Sequence, residues 1–94
     1  MKPWSIFLVI EAEGELEEAP QQIRRKFDQW VILVRGYGPW LKGGWRTEAL
    51  QGALKGFYSV RLNRQLRVIF EVRTERNVVV IRIVAHDYKR VRRR

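Results

Sequence analysis

From Phe57 to Ala85 the chain consists almost entirely of β-branched, aliphatic, aromatic and basic residues, broken only around Asn63-Arg64-Gln65 and again between Arg73 and Val78. Such runs separated by short polar breaks are strands joined by tight turns. The segment is therefore expected to form a three-strand meander over Phe57 to Leu62, Leu66 to Arg73 and Val78 to Ala85. Its first register can be argued. A two-residue loop at Asn63-Arg64 would pair Val60 with Arg67 and mix apolar and charged side chains on each face. A three-residue loop, Asn63 to Gln65, pairs Leu62 with Leu66 and Arg61 with Arg67. That gathers Val60, Leu62, Leu66, Val68, Phe70 and Val72 on one face, and a slip of one residue would exchange the faces. In the last strand Val79, Ile81, Ile83 and Ala85 are the more apolar set and are expected to join this core. The opposite face would carry Arg61 and Arg67 side by side, with Arg82 and His86 from the neighbouring strand. Like charges directly opposite on adjacent strands are destabilising. Something must offset them, and a bound phosphate would.

The first half holds one strand and one clear helix. Trp4 to Glu13 reads as a strand, apolar on both sides through Ile6, Leu8 and Ile10 against Phe7 and Val9, as in a strand covered on both faces. Glu15, Glu17 and Glu18 before Pro20 suit the first turn of a helix. Ile23, Phe27, Trp30, Val31 and Val34 then form one apolar helical stripe, ended by Gly36, Gly38 and Pro39. Between Gly36 and Gly56 the glycines, Pro39, Trp40 and Trp45 describe a loop, with a short helical turn around Thr47 to Leu54. So long a connection in so small a domain is more often functional than idle. The expected fold is α+β: one domain over residues 1–94, with a basic tail over 89–94. A small twisted antiparallel sheet, made of the N-terminal strand and the C-terminal meander, packs against one or two helices.

Charge narrows the function. Nineteen Lys and Arg against ten Asp and Glu leave a net charge of +9, with a pI near 10.9. Such a field attracts polyanions and accelerates encounter with them. The acidic residues fall mainly before residue 29, while the chain ends in Lys89-Arg90-Val91-Arg92-Arg93-Arg94. The absence of cysteine rules out disulfides and thiolate metal sites, and a single histidine argues against structural zinc. No metal or cofactor is expected. No apolar run approaches the roughly 20 residues of a membrane span, and none suits a signal peptide, so a cytoplasmic protein is expected.

Neither a phosphate-binding glycine loop nor a metalloprotease or nucleophile-elbow motif is present. What remains is a basic sheet face with titratable neighbours, which suits metal-free RNA cleavage. That reaction needs a base for the 2′-hydroxyl proton, cations on the phosphate and an acid for the leaving 5′-oxygen. Arg61 and Arg67 fit the cationic role through their guanidinium forks, Glu48 is the available base, and His86 and Tyr88 are the available acids. Taken one at a time these residues have blander explanations: a solvated loop carboxylate, exposed strand arginines, a structural histidine and a packing tyrosine. Lys55, Arg82, Lys89, Arg90, Arg92, Arg93 and Arg94 are candidates for RNA attraction, the terminal ones as a solvated tail.

The stretch Arg46 to Val72 carries a Glu, then Leu-x-Gly-x-Leu-x-Gly, an aromatic pair, Ser, Arg, and six residues later an Arg in a strand with an aromatic near its end. It resembles the YoeB/Txe branch of the RelE/ParE superfamily of toxins. The likeness extends over roughly residues 44–90 through the ending Ala85-His86-Asp87-Tyr88-Lys89. It implies a RelE/ParE-like fold and an endoribonuclease that cuts messenger RNA at the ribosomal A site, leaving a 2′,3′-cyclic phosphate. It also implies a small cognate antitoxin and contact with ribosomal RNA. By position, Glu48 matches the general base, Arg61 and Arg67 the phosphate and transition-state arginines, and Tyr88 the C-terminal tyrosine. The family's histidine stands immediately before that tyrosine, where this chain has Asp87 with His86 one step earlier. A step along a strand reverses the face, and His86 is the better match to the face of Arg67. The rivals are a ParE-type inhibitor of DNA gyrase without nuclease activity and an inactive RNA-binding member. A gyrase binder has no need of a carboxylate base beside two arginines.

Overall fold

A computed structural model of the chain describes residues 2–85. His86, Asp87, Tyr88, Lys89, Arg90, Arg92, Arg93 and Arg94 lie outside the described residues. The order of elements is β1 (Ser5–Leu8), α1 (Ile10–Glu18), α2 (Gln21–Tyr37), β2 (Glu48–Ala49), β3 (Tyr58–Arg61), β4 (Leu66–Arg73) and β5 (Asn77–Ala85), with a 3₁₀ turn at Gly52–Leu54 before β3. The sheet runs β1-β5-β4-β3-β2. The meander β3-β4-β5 and the short β2 pair antiparallel, but β1 lies parallel to β5, so the sheet is mixed rather than wholly antiparallel. Only a tight turn forces antiparallel pairing, and β1 reaches β5 through both helices and the whole meander.

The expected strand from Trp4 to Glu13 is corrected to a four-residue strand followed by a helix. Val9 is extended at the N-cap of α1, and its N–H donates to Val80 O at 3.0 Å. Ile10, the last residue of the apolar run, is 86% exposed. Glu15, Glu17 and Glu18 sit inside α1 instead of opening the following helix. Glu15 has a structural use: β1 stops at Leu8 opposite Val80, leaving the edge of β5 beyond it open. There Glu15 Oε1 accepts the Ile83 N–H at 2.6 Å and Oε2 holds Arg82 Nη2 at 2.8 Å.

Helix α2 is the main packing element. Ile23, Phe27, Trp30 and Val34 recur at intervals of four, three and four along it, and all are buried. It ends at Gly38, whose φ of +88° favours glycine and where a Cβ would stand 3.2 Å from Trp4 Nε1. The stripe packs on Val60, Leu62, Val68, Phe70, Val78, Val80 and Ile83. The ring centroid of Trp30 lies 5.3 Å from Phe70 and 5.6 Å from Phe27.

The hairpin register is the one argued above. Val60 pairs with Val68 and Arg61 with Arg67, and the Leu62 N–H donates to Leu66 O at 2.8 Å. Asn63 fixes the turn, its Oδ1 accepting from the N–H groups of Gln65 and Leu66 at 2.8 and 2.7 Å. The expectation for β5 needs correction. Phe70 faces Val80 and Ile69 faces Arg82, so Ile81 is an extra residue forming a β-bulge. Alternation therefore breaks there. Val78, Val80 and Ile83 face the helices, whereas Ile81 joins Leu50, Leu54, Ile69, Phe57 and Val84 in a second apolar cluster.

Trp30 is fully buried in the main core, so Trp30→Ala should remove about 3–5 kcal/mol of stability. For a domain whose total is roughly 5–15 kcal/mol, most of the cooperative transition in a urea titration should be lost. Trp30→Phe should cost much less, since Trp30 Nε1 has no hydrogen-bond partner among the described residues. Equal losses for the two substitutions would show that ring volume does not decide stability here.

Candidate active site

Turning of the β3–β4 hairpin at Asn63 places Arg61 and Arg67 on the face away from α2, and β2 brings Glu48 into register with Ser59 on β3. Alternation then puts Glu48, Ser59, Arg61 and Arg67 on one side of the sheet. Gly43, Gly44, Trp45, Arg46, Glu48, Arg61 and Arg67 line a small open cleft of about 160 Å³ there.

At its floor, Arg67 is only 8% exposed. Its Nη1 donates to Glu48 Oε1 at 3.1 Å and to the fully buried Ser59 Oγ at 3.3 Å. The guanidinium thus reaches across β3 to β2, and three strands converge on one ion pair. Arg67 is therefore not an exposed strand arginine but a buried cation held by a half-exposed carboxylate. Glu48 also supplies part of the counter-charge that the facing arginines need, a role the sequence had left to phosphate alone. Arg61 stays exposed at the rim.

The loop that carries Glu48 is pinned from behind. Thr47 N–H donates to Leu41 O at 3.0 Å, the Leu41 N–H donates to Thr47 Oγ1 at 3.1 Å, and the same hydroxyl donates to Pro39 O. Lys26 Nζ stands 4.9 Å over the Trp45 ring, tying the glycine-rich segment to α2. Arg46, between Trp45 and Thr47, adopts φ +36°, a left-handed conformation rare for residues other than glycine.

Arg82 and Lys55 do not line this cleft. The Glu15 carboxylate holds Arg82, its hydrogen bond raising the guanidinium pKa above the usual arginine value against partial burial, with Coulombic help from Glu15 and Glu11. Lys55 is exposed after the 3₁₀ turn. No group of three or more metal-ligating side chains occurs among the described residues. Sequence reasoning missed Arg46 and Ser59. Both share the chain parity of nearby site residues, Arg46 with Glu48 and Ser59 with Arg61, a signal that was present but not distinctive.

No protein-family model matches the chain, and no curated protein matches it in sequence. Solved structures do match. A YoeB/ParE toxin from Agrobacterium tumefaciens gives a TM-score of 0.75 at 17% identity, over 87% of this chain and 98% of that one. YoeB from Staphylococcus aureus, solved as a dimer, gives 0.74 at 20% identity over 89% and 98%. An archaeal RelE–RelB complex from Pyrococcus horikoshii gives 0.74 at 18% identity over 88% and 94%. The architecture is therefore the RelE/ParE toxin fold. YoeB and RelE toxins match this fold equally well.

The different settings of the two arginines make them separable. Arg61→Ala, at an exposed rim position, should change stability by no more than about 0.5 kcal/mol. Arg67→Ala strips the Glu48 carboxylate and the Ser59 hydroxyl of a charged donor and should cost roughly 1–3 kcal/mol. Denaturant midpoints of the two variants measure this, and a stability loss from Arg61→Ala as large as that from Arg67→Ala would contradict the assignment of floor and rim.

Proposed function

We propose that this chain is the toxin of a toxin–antitoxin pair and a metal-independent endoribonuclease acting on messenger RNA at the ribosome. The observation that carries the reading is the meeting of Glu48, Arg61 and Arg67 in one cleft on a RelE/ParE toxin fold. In-line attack by the 2′-oxygen on the adjacent phosphorus requires loss of the 2′-proton. Glu48 Oε1 is held by Arg67, and the proton passes to Oε2. Arg67 and Arg61 stabilise the charge that gathers on the phosphoryl oxygens, Arg67 from a fixed position that needs no reorganisation during the reaction. The bond from phosphorus to the 5′-oxygen breaks, and His86 or Tyr88 protonates that oxygen, with His86 preferred over Asp87. A 2′,3′-cyclic phosphate and a free 5′-hydroxyl result. Lys89, Arg90, Arg92, Arg93 and Arg94 add nonspecific attraction to ribosomal RNA, and a small antitoxin covers the cleft, as RelB accompanies RelE in the solved complex. The setting for such a reaction is the cytoplasm.

Glu48→Gln should lower single-turnover cleavage of a ribosome-bound message by about 10²–10⁴-fold, the usual contribution of a general base, with little change in binding. His86→Ala should cost more than Asp87→Ala. A substrate with a 5′-bridging sulfur, whose leaving group needs no proton, should restore the rate of His86→Ala but not of Glu48→Gln. If Glu48→Gln and His86→Ala both cleave at the wild-type rate while cells still arrest, inhibition of gyrase becomes the better account.

A further inference from the structure

Four charged side chains line the cleft, and they are not equivalent. Arg67 is buried and committed to Glu48 and Ser59. Arg46 and Arg61 are exposed, and neither forms an ion pair or side-chain hydrogen bond within the described residues. Arg61 projects from the end of β3, whereas Arg46 comes from the loop on the other side of Glu48. The loop holds Arg46 firmly. The three hydrogen bonds of Thr47 anchor the next residue, and the Lys26–Trp45 contact anchors the one before. Between these anchors Arg46 keeps its left-handed φ of +36°. A glycine would hold that conformation more readily, and glycines stand at positions 43 and 44. Glu75 and Arg76 share such φ values in the β4–β5 turn, so the conformation by itself marks no function; at Arg46 it coincides with a place in the cleft lining.

We infer that Arg46 is a second phosphate-binding cation of the cleft, so that the site recognises two consecutive phosphates of a single-stranded oligonucleotide. One phosphate sits between Arg61 and Arg67 beside Glu48, and Arg46 takes its neighbour along the strand. This rests on the reading of the cleft as an RNA site and adds the substrate length it demands. A dinucleoside monophosphate offers one phosphate, and a trinucleoside diphosphate is the shortest strand that offers the second one to Arg46. Each phosphate contact to a single strand contributes a slope of about −0.7 to the dependence of log affinity on log salt.

The test uses the full chain and two 2′-deoxy probes, which bind without being cut: a dinucleoside monophosphate and a trinucleoside diphosphate. NMR titration at several salt concentrations measures both. The wild-type chain should prefer the longer probe by roughly tenfold, the size expected of one charge-assisted contact. Arg46→Gly, which suits the backbone conformation, should abolish that preference and flatten the salt slope by about 0.7 without weakening the shorter probe. Arg46→Lys should keep the slope. A wild-type chain that binds both probes equally, or an Arg46→Gly variant that still prefers the longer one, overturns the inference and leaves the nuclease reading standing. A wild-type chain that binds neither probe overturns both. Loss of cleavage in Glu48→Gln, measured separately, bears on the nuclease reading alone.

Discussion

The register of the β3–β4 hairpin is the constraint from which the core and the cleft both follow. Asn63 closes a three-residue turn by accepting two backbone N–H groups, and this sets Arg61 against Arg67. Slipping the pairing by one residue would set Val60 opposite Arg67 and mix apolar and charged side chains on each face, so that either an arginine entered the helix-facing core or one strand's apolar residues left it. The apolar face and the basic face are therefore one choice. Each apolar side chain buried against α2 stabilises the fold by roughly 1.5–3 kcal/mol, so the core supplies the free energy that keeps two guanidinium groups adjacent. The cleft sits on a pairing that charge alone would disfavour.

That repulsion is met locally by placing the charges at different depths. A guanidinium taken out of water is costly unless paired and hydrogen-bonded. Arg67 receives both from Glu48 and Ser59, while Arg61 remains in solvent where screening is strong. The result is a buried, paired charge at the floor and a solvent-exposed one at the rim. For a reaction in which negative charge grows on a phosphate, a donor already immobilised is worth more than one that must be gathered. Glu48 serves as the counter-ion that makes Arg67 affordable and, in the proposed reaction, as the proton acceptor. Its half-exposed carboxylate permits both.

What could be read from sequence was the part governed by short-range periodicity. The stripe Ile23, Phe27, Trp30, Val34 and the alternation through Val60 to Phe70 each name their element and buried face without reference to the rest of the chain. Where pattern is degenerate, the reading failed. Val78-Val79-Val80-Ile81 is apolar at every position, so nothing in it marks Ile81 as the bulge that reverses the later alternation. Ile6 to Ile10 is likewise uniform, and the run passes from strand into helix without a polar signal. Helix α1 buries only Ala12, so it has almost no stripe to see. Its position is set instead by contacts distant in sequence, among them Ala12 and Leu16 on the main core and Glu15 with Arg82 and the Ile83 N–H. Of the site, Glu48, Arg61 and Arg67 were legible through motif and register. Arg46 and Ser59 needed the three-dimensional arrangement, because a loop residue and a buried hydroxyl have no periodicity to reveal them.

The distribution of charge follows from these same contacts. Arg82 was expected among the cations that attract RNA, yet the acidic helix α1 takes it up at the free edge of β5, where Glu15 serves both the backbone and the guanidinium. Helix α1 carries Glu11, Glu13, Glu15, Glu17 and Glu18 with no Lys or Arg, so this helix is acidic throughout. The cleft, by contrast, sets three arginines against one carboxylate. A net charge of +9 spread evenly would draw a polyanion to any surface. Concentrating acid on α1 gives the field of the described residues a direction. At the opposite end of the sheet, β2, β3 and the Thr47-anchored loop carry Arg46 and Arg61 at the cleft.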